Sequence, residues 1–327
     1  MRLILQAIAL SFWSEGEASC HNADKEGFTR NSGPMAIRYD QIAERLRAYR
    51  VGKGLSSEEV ALRLGLSRAA VYRMEKGELI KIETLERVSE LLGVSLASLL
   101  DAGVEYHSNA VSFLERMRQI ELTSERVLAH YEPISFLLTT DAYNEHLRQM
   151  LMEAMPATAP KAEFKRQVDD VLRILSERKS LVRQRQPNIA SVIGLVEIER
   201  FLRLGLVGRL DLPPSVQKQR RQAAAIEVER IATLMEQEPV GIQIGLVEGA
   251  LPSQTFQIFR RAEGALVSVS PYRLGELPNI TSGVATVTGA AEAVALHETM
   301  FRELWDQSVR GNAGTAILRR LIRKTGP

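Results

Sequence analysis

LSSEEVALRLGLSRAAVYRMEKG, residues 55–77, decides the fold of the first third of this 327-residue chain. Ser56 and Glu59 are spaced as a Ser-x-x-Glu capping box, which opens a helix by satisfying backbone N–H groups at its start. Val60, Ala61 and Leu64 supply the inner face of that helix, and Gly65-Leu66 make a tight turn. Ser67 is placed to cap a second short helix with Val71 and Met74 inward, and Gly77 ends it. Working outward, Tyr39, Ile42, Leu46 and Tyr49 fall at i, i+3, i+7 and i+10, a helical stripe closed by Gly52 and Gly54. Downstream, Ile82 to Leu92 places Leu85, Val88, Leu91 and Leu92 inward before Gly93, and Leu96, Leu99 and Leu100 mark a fifth helix.

Two short helices joined at Gly65-Leu66-Ser67 form a helix-turn-helix pattern. Residues 55–77 resemble the lambda-repressor-like (Cro/CI, XRE) DNA-binding family in helix lengths, turn glycine, inner apolar positions and the closing Glu75-Lys76-Gly77. The resemblance implies a five-helix DNA reader over residues 35–103 whose third helix lies in the major groove. It places Arg68, Ala69, Tyr72 and Arg73 toward the bases. Either arginine is suited to donate bidentately to guanine O6 and N7, and Arg73 equally to a phosphate. Ala69 fits against a thymine methyl, and Tyr72 fits a base or a phosphate. The full candidate set is Ser57, Ser67, Arg68, Ala69, Tyr72, Arg73 and Lys76. Ser57 departs from the family pattern, because many members carry there a Gln whose amide binds a phosphate. Its hydroxyl has a shorter reach, and the peptide N–H groups at that helix start are the alternative donors. The resemblance also implies that Arg50 pairs with Glu75 and sets the angle between two helices.

Charge follows the motif. Arg38 to Lys76 holds nine basic and five acidic residues, whereas Gly77 to Gly103 holds two basic and five acidic. A net charge of +2 over the whole chain excludes a uniformly basic nucleic-acid coat but leaves room for such a local face. One cysteine, Cys20, excludes an internal disulfide and weighs against a Cys-rich zinc site, which suits a cytoplasmic location. No apolar run reaches the roughly 18 residues of a membrane helix, so no membrane partner is expected. Residues 1–34 pair an apolar stretch, Leu3 to Trp13, with Glu15 and Glu17 where a signal cleavage site would need small residues. They are expected to be a disordered extension ahead of Met35.

Residues 104–327 read as an α+β effector or oligomerisation domain, so the chain is expected to be mainly α with an α+β C-terminal domain. The expected helices are His107 to Tyr131, Thr139 to Met155, Lys161 to Gln186, Ser215 to Glu238, Ala290 to Ser308 and Ala313 to Arg323. The expected strands are Ile189 to Val196, Val240 to Val247, Thr255 to Arg260, Ala265 to Ser270 and Val284 to Thr288. YEPISFLLTTDAYNEHLRQML, residues 131–151, the Arg- and Gln-containing helix before Pro187, and a strand ending at Glu197 resemble an uncharacterised domain. That domain follows the same helix-turn-helix in many actinobacterial regulators, which implies a regulatory part sensing a small-molecule or protein effector.

No catalytic constellation is legible. There is no Gly-rich phosphate loop and no G-x-S-x-G elbow, and His21, His107, His130, His146 and His297 form no His-x-x-x-His pair. Asp169-Asp170 points to two sides of a helix, and the basic run Lys161 to Arg185 reads as a solvated face. The expectation is a non-enzymatic, sequence-specific repressor that needs no cofactor or metal and binds double-stranded DNA. It should act as a homodimer held mainly by residues 104–327, with the Ala224, Val228, Ile231 and Met235 stripe among its spare apolar surface. The competing readings are an antitoxin-like partner-binding protein and an enzyme with an accessory helix-turn-helix.

Overall fold

The computed structural model describes residues 39–78, 81–100, 103–249 and 251–326. The expected extension over residues 1–34, with Cys20 and His21, lies outside the described residues. The expected reader consists of α1 (Tyr39–Gly52), α2 (Ser57–Leu64), α3 (Arg68–Met74), α4 (Ile82–Leu92) and α5 (Leu96–Leu100). Its helices enclose their own core of Ile42, Leu46, Tyr49, Val60, Leu64, Val71, Leu85, Val88 and Leu99. The caps form as the sequence dictates. Glu59 N donates to Ser56 Oγ at 3.1 Å and Ser56 N to Glu59 Oε2 at 2.7 Å, closing the box that starts α2. Gly65 ends α2 in the left-handed region at φ 63°, where a Cβ would be strained.

The rest is a seven-stranded mixed sheet with helices on both faces. Its elements are β1 (Val104–His107), α6 (Ala110–Thr123), β2 (Ser124–His130), α7 (Tyr143–Glu153), α8 (Lys161–Arg185), β3 (Asn188–Gly194) and α9 (Leu195–Leu204), then α10 (Pro214–Gln237) and β4 (Ile242–Val247). The chain closes with β5 (Thr255–Arg261), β6 (Gly264–Ser270), β7 (Ala285–Thr288), α11 (Ala291–Gln307) and α12 (Gly311–Thr325). Strand order is β1-β7-β6-β5-β2-β3-β4. β2, β3 and β4 are parallel, as helical crossovers require, and the remaining neighbours pair antiparallel. One face carries α6, α8, α9, α10 and α12 over the larger core. Among the helices of the described residues, α11 covers the other, setting Phe301 and Leu304 on Leu128, Val192, Phe256 and Ile258.

Four expectations need correction. His107 to Tyr131 is not one helix. His107 ends β1, Asn109 caps α6 by accepting Ser112 N at 2.9 Å, and Ser124 to His130 is the interior strand β2, between β5 and β3. Helix-compatible residues there are overridden by pairing with β3 and β5 on either side. Thr139 to Met155 starts late, because Phe136–Leu138 form a 3-10 turn and α7 begins at Tyr143. The strand at Ile189 stops at Gly194, so Glu197 lies on α9. Gly194 sits where a Cβ would come within 2.5 Å of the Leu251 side chain, and the chain changes from strand to helix there. Finally, Ala224, Val228, Ile231 and Met235 are 0–3% exposed, so that stripe is spent on the chain's own core and offers no dimer surface.

Candidate DNA interface

The turn from α2 to α3 is held from behind by arginines. Arg50 of α1 pairs bidentately with Glu75 through the Nε–Nη2 edge of its guanidinium, the Nη2 bond measuring 2.9 Å, and its third nitrogen donates to Leu55 O at 2.7 Å. Arg87 of α4 donates to Leu64 O. The expected Arg50–Glu75 pair thus ties the start of α2 to the end of α3. Such a pair fixes geometry more than it adds net stability.

α3 projects its expected contact residues outward. Ser67 caps it by accepting Ala70 N at 3.1 Å, while Val71 and Met74 are buried. Arg68, Ala69, Tyr72, Arg73 and Lys76 are all exposed, and Ser57 at the first position of α2 is half-buried. These residues share one surface. Arg68 Nε lies 2.7 Å from Glu58 Oε1 on α2, with 76% of the arginine side chain in solvent. Arg73 Nε is 3.8 Å from Glu78 Oε2, and Lys76 Nζ sits 5.5 Å from the Tyr72 ring centroid. Exposed pairs of this kind are worth at most about 1 kcal/mol, so a phosphate or base edge can displace them. Of the nine basic residues counted in the sequence, Arg38 lies outside the described residues, and Arg45 and Arg50 are turned inward. Arg47, Lys53, Arg63, Arg68, Arg73 and Lys76 remain on the outside.

Sequence reasoning missed the residues that fasten this surface to the sheet domain. Arg45 lies on α1 among Ile42, Leu46 and Tyr49 and is 1% exposed. Its Nε donates to Glu105 Oε1 of β1 at 2.7 Å. Arg116 of α6, equally buried, donates twice to Glu105 at 2.8 and 2.9 Å and once to Glu44 Oε2 of α1 at 2.9 Å. Two buried guanidiniums are thus balanced by the buried Glu105 and, at the edge of the junction, by the half-exposed Glu44. Burial alone would raise the Glu105 carboxyl. Arg116, His107 and Arg45 outweigh that and hold it well below the ordinary carboxylate range. Burial, working against Glu105, pushes the His107 imidazole below its usual pKa, and its ring stacks on Tyr49 at 4.9 Å. The available signal was a charged residue inside an apolar stripe. Arg45 repeats with Ile42 and Tyr49, and Arg116 lies between Phe113 and Ile120 on a helix buried on nearly all sides.

Elsewhere the charged features resolve into internal pairs. On α8, Arg178 bonds Glu121, Lys179 bonds Thr139 and Thr140, and Arg183 pairs with Asp141. Among the described residues no three His, Cys, Asp or Glu side chains come together as a metal site, and no helix is long and apolar enough to cross a membrane. Residues 46–99 match the helix-turn-helix family model. No characterised protein matches the chain by sequence. The capped helix pair, the left-handed Gly65 turn and the outward α3 side chains agree with that match, and residues 46–99 are a DNA-binding helix-turn-helix of the lambda-repressor-like, Cro/CI (XRE) type.

Proposed function

We propose that this protein is a cytoplasmic, sequence-specific transcriptional repressor that binds an inverted repeat as a homodimer and is controlled by its C-terminal domain. The observation that carries the reading is the single exposed surface of Arg68, Ala69, Tyr72, Arg73 and Lys76 on a helix whose angle Arg50 and Glu75 fix from behind. In this reading Arg68 and Arg73 meet guanine edges, Ala69 and Tyr72 line the groove, and Ser57, Ser67 and Lys76 hold phosphates. One such unit reads only about four to six base pairs, too few to single out a genomic site, which is the reason for two readers one helical turn apart. The domain built on the sheet regulates and does no chemistry. Selection of bound fragments from a random DNA library by the full chain tests the reading, together with its mass in solution. The expected result is a palindromic consensus and a dimeric mass. A chain that enriches no sequence, or a monomer that binds a single half-site, overturns it.

A further inference from the structure

A cavity lies under α6, between that helix, the end of β2 and the paired strands β5 and β6. Its narrow interior measures about 50 Å³ and opens to solvent at a mouth. Phe113 and Leu114 of α6 form one wall. Tyr131, Gln257, Tyr272 and Arg178 line the rest together with the loop Ile134 to Leu137. Apolar walls with a few convergent polar groups are the usual make-up of a small-molecule site.

The lining carries no spare charge. Arg178 is committed to Glu121 through bonds of 2.9 and 2.6 Å, with Glu121 1% exposed. Glu132 at the rim is paired with Arg273 at 3.3 Å. What remains for a ligand is neutral: the Tyr131 hydroxyl, which donates to Gln257 Oε1, and the Gln257 amide. A charged molecule would lose its hydration there without gaining a counter-ion.

The walls of this cavity also reach the reader. Tyr272 packs on Phe113 with centroids 5.9 Å apart, Phe113 meets the His107 ring at 6.1 Å, and His107 stacks on Tyr49 of α1 at 4.9 Å. The Tyr272 hydroxyl donates to His107 O at 3.0 Å, a second link between the same wall and β1. One turn along α6 from Phe113, Arg116 holds Glu44 and Glu105. On the opposite side, Ser112 packs so closely on α1 that a Cβ at Gly52 would fall 2.4 Å from its own Cβ. A shift of α6 or Tyr272 therefore cannot be absorbed locally and moves α1.

We propose that this cavity is the effector site, that it takes a slender uncharged molecule with an apolar body and one hydroxyl or amide head, and that the Tyr272–Phe113–His107–Tyr49 rings carry its occupancy to the reader. The proposal rests on the reading that the C-terminal domain controls DNA binding. The test uses phenol as the probe, with benzoate and benzylammonium as charged counterparts, on the full chain. Phenol should raise Tm saturably and change backbone hydrogen exchange over residues 39–52, and it should shift the affinity for the selected DNA by roughly fivefold or more. The charged counterparts should do neither. Leu137→Trp, which adds bulk at a half-buried lining position, should abolish the phenol response. Phe113→Leu should keep the Tm rise and lose the exchange and DNA responses. No saturable Tm rise in the natural chain, an equal rise with benzoate or benzylammonium, or a rise that leaves residues 39–52 unchanged would overturn the proposal. The Tm and exchange measurements need no DNA, so a failure of DNA binding alone counts against the regulator reading and not against the cavity.

Discussion

The two sides of the reader use the same residue type for opposite ends. On the proposed DNA side, Arg68 and Arg73 keep 76% and 61% of their side chains in water and hold single, easily exchanged carboxylate contacts. On the rear, Arg45 and Arg116 are 1% exposed and fully bonded to Glu105 and Glu44. Solvent makes the difference. A guanidinium in water keeps its charge available to an incoming phosphate, whereas a buried one must be neutralised in place or it destabilises the fold. The reader is thus reactive in front and locked behind, and the lock contains the contacts through which the sheet domain reaches it.

The lock gives the largest expected effect. Glu105→Ala takes from two buried guanidiniums the carboxylate they share and should cost about 3–5 kcal/mol. Denaturant unfolding of the full chain measures this. A loss below about 1 kcal/mol would mean that the junction admits water and that the contrast between the two sides is false.

A second buried carboxylate sharpens the rule. Glu276 also faces two arginines, accepting from Arg200 at 2.7 Å and from Arg273, and is 1% exposed. Unlike Glu105, it leaves one oxygen, Oε2, without a partner. Burial outweighs Arg200, with Glu197 adding repulsion, and the carboxyl is pushed up to about 7. A carboxyl whose folded pKa is raised adds stability below its unfolded value, and that stability fades as pH rises through the folded one. The chain should therefore lose stability through this group between about pH 4.5 and 7. Glu276→Gln should remove that slope and stabilise the protein at pH 8 by about 1–3 kcal/mol. Unfolding curves at pH 5 and pH 8 give the result, and an unchanged slope in the variant would show that the two arginines keep Glu276 ionised.

On the exposed side, Arg68→Ala should cost about 1–3 kcal/mol at the selected site and relax the preference at one base pair. Its effect on folding should stay within about 0.5 kcal/mol. Equal losses on all sequences would make Arg68 a phosphate contact.

The front of the reader was legible in the sequence and the rear was not, for a physical reason. The box of Ser56 and Glu59, the turn at Gly65 and the inward Val71 and Met74 are local relations written within a few residues of one another. Glu105 meets Arg45 across 60 positions and Arg116 across 11, and only the fold decides that three charged residues share one dry site. The same division holds in the sheet domain. β4, β5, β6 and β7 were readable from short β-prone runs. β2 was hidden inside an apparent helix and β1 was not read as a strand, because Val104–His107 and Ser124–His130 become strands through partners far along the chain. The Ala224 to Met235 stripe was read correctly as apolar and wrongly as spare, since a periodicity does not say which neighbour will cover it.

The smallest expected effect concerns the carboxylate that the DNA face keeps for itself. Glu58 stands in the first turn of α2, about half exposed, and its partner is Arg68. In the free protein the pair is exposed and adds at most about 1 kcal/mol. Against DNA the same carboxylate would sit near phosphates and compete with them for Arg68, so it opposes binding by simple repulsion. Glu58→Gln should then change folding stability by less than about 0.5 kcal/mol. It should strengthen binding to all sequences by roughly twofold to fivefold at low salt, with the gain shrinking as salt rises. Titrations of the selected site and of random DNA at two salt concentrations separate the possibilities. A gain on both, screened by salt, fits Glu58 as a counter-charge that holds Arg68 in place until DNA replaces it. A loss confined to the selected site would instead give Glu58 a base contact of its own, and the front of the reader would begin at α2 rather than α3.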